Sequence, residues 1–456
     1  MGISKLQRMI NDLCLCEEVK VEKTSLIIDG AALYYCLYYN SDPKLDQRCG
    51  GDYPGFKDEV CNFFKTLKDC EVTPYVFLDG GSGSEKHETL QQRLKTKLKN
   101  AKTVAESKPD AVPKGCNVLP PLVKDVFIEI LKENRIEFKQ CLGEADPEVF
   151  SAANQKQCPV LATDTDFCIY DVHKGFLHLD NFEWKSKEDG KIPAKLYARS
   201  KFCEHFKLDP ALMPVFASVA GNDYSRLEDK GRFARESSSS VSSDEQEQLQ
   251  LQCLHKAPEG LRRRVFEEAL QVQTSALENI PDQLKLPVCV TVFWFKNLQS
   301  APKPETVHCL HALLLGFVFN PNSPEDEFER KMKTLKDEGV SNWQPRVAHA
   351  FSQWQCCMRQ SLHLNQLLCS PLPEPQCARL YCGPLLHWLA DEDTIKELQK
   401  TLRGEKKELY ENLKTACNPS SGEGSSQSLM SAAPSNEKGS SREEEQRDLK
   451  QKKTDY

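Results

Sequence analysis

The residues in this chain best suited to chemistry are carboxylates, and their positions follow a pattern. Asp29 closes the β-rich run SLIID and Asp79 closes PYVFLD; Glu144 and Asp146 follow EFKQCL in GEAD, and Asp164 and Asp166 close PVLATD in TDTD. Asp223 stands in GNDY, after the apolar helical run PALMPVFASVAG. Acids that end neighbouring strands of a parallel sheet converge on one crevice, because ligands of such sheets bind beyond the carboxyl ends of the strands. Seven carboxylates in one crevice repel one another unless cations neutralise them, and hard oxygen donors without Cys or His select Mg2+ or Mn2+. Two such ions about 3.5–4 Å apart clamp a phosphodiester for in-line displacement, one activating water and the other stabilising the leaving oxygen. Each acid also has a plainer reading. Asp29 and Asp79 precede Gly, a normal strand-to-turn sequence; Asp146 precedes Pro147 and fits an N-cap with Pro at N1; Asp164 fits a turn cap. The recurrence favours chemistry: an acid ends every early strand, and the acid-x-acid pair occurs twice.

Cations stand nearby in sequence. Lys86, Arg93 and Lys97 are seven and four residues apart, on roughly one face of a helix from which they could hold a scissile phosphate. Arg262, Arg263 and Arg264 form a second cluster, a candidate guide for a nucleic-acid strand, although a charge run is usually a solvated helix face. The net charge of −7 argues against coating nucleic acid by bulk attraction, so phosphate binding must come from such local patches.

The elements that must position these groups read as an α/β fold. Strands are expected at 25–29, 74–79, 137–142 and 159–164, with FCIYDV as a following hairpin element, and helices at 30–40, 56–70, 86–105, 121–134 and 148–155. Alternation of the two types predicts a central, mainly parallel sheet flanked by helices over 1–227. A Ser, acidic and Gln-rich stretch, 228–252, reads as a linker; 253–417 reads as a mostly α-helical domain, in which VCVTVFWF fits either a strand or a buried helix; the Ser, Gly and Glu-rich tail 418–456 reads as disordered. No apolar run reaches the roughly 18 residues of a membrane helix, and MGISKLQRMINDLCLC lacks a signal-peptide core. A nuclear or cytoplasmic protein that is not secreted is expected, with most of its 20 cysteines reduced and no zinc site.

The motifs MGI, IIDGAAL, VFLDGG, GEAD, TDTDFCIYD and GNDY, in this order, resemble the flap-endonuclease/XPG superfamily of PIN-like nucleases. FSQWQCC, LNQLL, PLPEP and RLYCG extend the resemblance to the asteroid homolog group within it, whose members include single-strand DNA endonucleases. The resemblance covers 1–227 and, more thinly, 260–390. It implies a PIN-like nuclease domain in which Asp29, Asp79, Glu144, Asp146, Asp164, Asp166 and Asp223 bind two Mg2+ or Mn2+ ions. It also implies phosphate-facing roles for Lys86 and Arg93, which lie 7 and 14 residues after Asp79, and a place for Gly2 near the metals. Three departures narrow the implied activity. Asp146 stands where flap endonucleases carry glutamate, and the shorter arm reaches its ion less easily. TVAESKPDAVPKGCNVL is too short for a helical arch that threads flaps, and SRLEDKGRFARESSSS offers no glycine-containing hairpin to grip duplex phosphates. The implied function is a structure-specific, metal-dependent DNA endonuclease acting on single strands or overhangs in DNA repair, with protein partners through the helical domain. The alternatives are a non-catalytic scaffold on a nuclease-like fold and an RNA-directed PIN nuclease.

Overall fold

The computed structural model describes residues 6–83, 86–107, 113, 115–220, 257–298, 303–319 and 343–417. Seven strands form one sheet: β1 (Cys16–Val21), β2 (Ser25–Asp29), β3 (Thr73–Leu78), β4 (Glu137–Gln140), β5 (Val160–Ala162), β6 (Phe176–Phe182) and β7 (Ile192–Tyr197). Their spatial order is β1-β7-β6-β5-β2-β3-β4. The five strands from β6 to β4 run parallel, and β7 and β1 add an antiparallel edge. Around the sheet lie α1 (Leu6–Asp12), α2 (Gly30–Tyr39), α3 (Tyr53–Asp69), α4 (His87–Glu106), α5 (Val123–Glu133), α6 (Asp146–Lys156), α7 (Arg199–Phe206) and α8 (Met213–Ala220).

Strand β2 sits at the centre because its sequence can be buried on both faces. Leu26 and Ile28 point into the core under α2, α3 and α5, and Ile27 points into the core under α1 and α6. All three are fully buried, so trimming Ile28 to Ala would cost about 2–5 kcal/mol. Helix α2 begins at once after β2, and Gly30 permits it: a Cβ there would lie 2.7 Å from Leu78 Cδ2 and 2.9 Å from the Phe77 carbonyl oxygen.

The structure departs from the expected elements in three places. FCIYDV is no hairpin; Thr165–Cys168 is a turn of 3-10 helix, because the Asp164 carboxylate caps it and Phe167 and Cys168 sink into the core. The expected strands 137–142 and 159–164 stop early, at Gln140 and Ala162, as the chain peels away to form the loops that carry the acids. Strands β1, β6 and β7 have no counterpart among the expected elements; they close the far edge of the sheet.

Helices at Glu259–Leu270, Asp282–Lys296, Pro304–Val318, Pro345–Leu367, Glu392–Thr401 and Gly404–Cys417 make a mostly helical C-terminal region. VCVTVFWF is a buried helix rather than a strand. It lies within Asp282–Lys296, and the exposed edge of a sheet has no place for residues buried on nearly every side. This region packs on the α/β layer within one compact unit that runs to Asn418. The stretch 228–252 and the tail 418–456 lie outside the described residues. Among the described residues no helix is long and apolar enough to cross a membrane, and the cysteines are free thiols.

Candidate active site

The carboxyl ends of β5, β2, β3 and β4 are adjacent, and the loops leaving them bring aspartates together. Asp29 ends β2 and caps α2, its Oδ1 accepting the Ala32 N–H at 3.1 Å. Beyond β3, Gly80 and Gly81 donate their N–H groups to the carbonyls of Gly143 and Leu142 at 2.7 and 2.8 Å. A Cβ at Gly80 would stand 2.1 Å from the Cys141 carbonyl oxygen, so this zipper requires glycine. The zipper sets Asp79 Oδ1 2.9 Å from the Ala145 N–H, which anchors the GEAD turn in front of α6. Asp146 is the first residue of α6, with Ala145 as its N-cap, and no side-chain capping bond forms at this end. The expected N-cap role for Asp146 is therefore absent, and its carboxylate faces the crevice. Asp164 accepts the Asp166 N–H at 3.0 Å, which folds TDTD back so that both acids share one side. Oxygens of Asp146, Asp164 and Asp166 all lie within 4.8 Å of one another.

The electrostatics bind five acids into one group. Burial pushes the Asp146 carboxyl up to about 8, helped by the charges of Asp164, Asp29, Asp79 and Asp166. Burial likewise pushes Asp29 up to about 6, with Asp79 and Asp164 adding to it and the N–H groups of Ala32 and Ala31 opposing it. A cluster that holds protons so firmly favours an incoming cation. Three oxygens within 4.8 Å fit one oxygen-ligated divalent ion, whose bonds of about 2.0–2.6 Å span that separation. The donors are all hard oxygens, and Asp146 joins them despite its shorter arm.

The remaining candidates fall in different places. Glu144 does not join the aspartates: its Oε2 pairs with Lys86 Nζ at 2.5 Å, and Lys86 is buried just ahead of α4. A desolvated ammonium takes the nearest carboxylate, so in this structure the two residues expected to serve metal and phosphate separately are paired with each other. Arg93 is half-buried on α4, and Lys97 reaches the Tyr35 hydroxyl at 3.4 Å. Asp223 and Gly2 lie outside the described residues. The strand-guiding role expected of Arg262 gives way to a structural one. Its guanidinium donates to the carbonyls of Ala257, Leu368 and Cys369 at 3.1, 3.0 and 2.9 Å, closing the C-terminal end of Pro345–Leu367. Arg263 pairs with Glu259 one turn away at 2.6 Å, and Arg264 is exposed.

Sequence reasoning missed two residues that brace the crevice. Lys124 Nζ and Gln140 Nε2 both donate to the Asp79 carbonyl, at 3.0 and 2.6 Å. The next residue, Asp125, lies 3.0 Å from His363 Nε2 and 3.8 Å from Arg359 Nε. The helical region thus reaches Asp79 through the first turn of α5. The signal in the sequence is a Lys-Asp pair in the first turn of an amphipathic helix, and no spacing ties it to VFLDGG.

The fold and its crevice define a class: an α/β protein whose parallel strands gather aspartates at their carboxyl ends. Within that class the chain is similar to proteins of the asteroid group. The family described as Asteroid N-terminal domain matches residues 326–427. The protein named Single-strand DNA endonuclease ASTE1 from Mus musculus is 28% identical, over 91% of this chain and 90% of its own length. The protein of the same name from Danio rerio is also 28% identical, over 80% of this chain and 78% of its own length. Among solved structures, the catalytic core of Rad2 in complex with DNA substrate covers 49% of this chain and 62% of that one, with 14% identity and a TM-score of 0.34.

Proposed function

We propose that this protein is a structure-specific, divalent-metal-dependent endonuclease that hydrolyses phosphodiester bonds in single-stranded DNA or overhangs, acting in DNA repair in the nucleus or cytoplasm. One observation carries the reading: five aspartates from four strand ends meet in one crevice, three of them within 4.8 Å, in a chain aligned over nine-tenths of its length with a protein named as a single-strand DNA endonuclease. Asp146, Asp164 and Asp166 would hold one Mg2+ or Mn2+ ion, and Asp29 and Asp79 would share in holding a second. Bound there, the ions supply activation of water and neutralisation of the phosphoryl charge. The chain's own part is orientation. The capping bonds of Asp29 and Asp164 and the Gly80 zipper hold the carboxylates in place before substrate arrives. Lys86 meets the scissile phosphate by exchanging Glu144 for it, a swap of one anionic partner for another. Arg93 and Lys97 on the same helix face steady the flanking phosphates. The brevity of 103–119 supports single strands over threaded flaps, since it leaves little chain for an arch.

A panel of single-stranded, 5′-flap, 3′-overhang and duplex DNAs digested with Mg2+ or Mn2+ tests this reading, beside matched RNA strands. Cleavage of single strands or overhangs, lost in a folded Asp164→Asn protein, is expected. Equal cutting by that variant would falsify the site, and RNA cut as fast as DNA would move the substrate class.

A further inference from the structure

Helix α4 carries an apolar stripe that the rest of the described fold does not use. Leu90, Leu94 and Leu98 are 41%, 58% and 64% exposed, and Ala101 and Ala105 continue their line. At 100° per residue these five positions fall within about 80° of arc, the width of a single helix–helix seam. Of the helix itself only Val104 is buried, so α4 is seated on the molecule by another face. Cations flank the stripe on both sides: Lys95, Lys99 and Lys102 on one, and Arg93 and Lys97 on the other, beside the buried Val104. The acids on the helix are Glu88 and Glu106, and Glu106 already lies 3.8 Å from Lys102.

We infer that this face of α4 docks an acidic amphipathic helix of a partner protein. The charge pattern selects the occupant. Nucleic acid would take up the lysines but leave three leucines in water. A second copy of α4 would set lysine row against lysine row, at a cost in repulsion. A lipid surface wants a broader apolar face with aromatic residues, and the stripe has none. An acidic helix with apolar residues at i, i+4 and i+7 fills the seam and neutralises the row of Lys95, Lys99 and Lys102. Because Lys86, Arg93 and Lys97 belong to the same helix or its cap, such a partner would sit beside the crevice and bear on substrate entry.

The test uses the full chain and a fluorescein-labelled peptide of about twenty residues, long enough to form a helix, with Leu at i, i+4, i+7 and i+11 and Glu at the outward positions. A twin peptide carries Lys in place of Glu. The Glu peptide is expected to bind by fluorescence anisotropy, and the Lys peptide not. Leu94→Ser with Leu98→Ser should weaken binding by about tenfold or more without shifting the thermal melt, since both side chains are exposed. Reversing Lys95, Lys99 and Lys102 to Glu should hand the preference to the Lys peptide. Equal binding of the Glu peptide to parent and serine variant, or no binding to the parent, overturns the inference. Leucine-dependent sedimentation with phosphatidylserine vesicles, or leucine-dependent self-association, in place of peptide binding overturns it in favour of a lipid surface or a second copy.

Discussion

At the seam between α3 and Pro345–Leu367, the donors and acceptors of Tyr53, Gln355 and Tyr381 are matched; in the crevice, acceptors crowd one another. The Tyr53 hydroxyl donates to Gln355 Oε1 at 2.6 Å and accepts the Leu122 N–H at 3.0 Å, Gln355 Nε2 donates to the Gly50 carbonyl, and Tyr381 donates to the Cys49 carbonyl. Asp46, at the same seam, accepts the N–H groups of Arg48, Cys49 and Gly51. In the crevice five aspartates share each other's field, and the N–H groups of Ala32, Ala145 and Asp166 supply partial relief. A polar network complete in itself fixes a packing arrangement. A network in which acceptors outnumber donors is steadied by a cation, so the crevice favours an incoming one.

The largest expected effect breaks the crevice. Asp166→Asn should lower cleavage by about a thousandfold or more, as loss of a central electrostatic group does, and in metal-free buffer it should melt at or above the parent's temperature because it relieves repulsion. Gel cleavage and circular dichroism read the two; a lower metal-free melt would erase the contrast with the seam. Next comes the seam itself. Gln355→Leu strands the Tyr53 hydroxyl and the Gly50 carbonyl, at a cost of about 2–4 kcal/mol in urea unfolding.

A third prediction concerns Glu129, half-buried on α5 at the border of the two regions. Burial pushes its carboxyl up to about 7, against the N–H of Cys377, with Glu133 adding to the rise. A raised acid binds its proton more tightly in the folded state. Its contribution is therefore full below the ordinary value of 4.5 and lost as pH rises through about 7. Denaturation at about pH 5 and pH 8 should show on the order of 2 kcal/mol of this loss, and Glu129→Gln should flatten it. An unchanged pH slope in that variant would assign the dependence elsewhere. The smallest effect sharpens the link between regions: Lys124→Met, which leaves Gln140 as the remaining side-chain donor to the Asp79 carbonyl, should raise the half-saturating Mg2+ concentration roughly three- to tenfold with little change in maximal rate. Calorimetric titration of Mg2+ checks it independently of turnover.

Much of the site is legible in the sequence, because parallel strands place their last residues on one side whatever the intervening chain. The ends of SLIID, PYVFLD and PVLATD can be read from runs of Val, Ile, Leu and Phe, and the acids there need only the sheet's polarity to converge. Local turn chemistry is legible too: Asp29 and Asp164 do cap the elements that follow them, and they face the crevice as well. What the sequence alone leaves open depends on distance through space. Glu144 and Asp146 are two residues apart, yet one pairs with Lys86 and the other joins the aspartates, a division made by where α4 and α6 come to rest. Arg262 and Lys97 look alike as cations in a string of letters. One closes a helix end more than a hundred residues away, the other stays at the surface, and packing alone makes that choice. Residue types and strand order therefore determined that an acidic crevice would form; the tertiary contacts decided which charges face it, because charge partners are set by proximity and burial rather than by position along the chain.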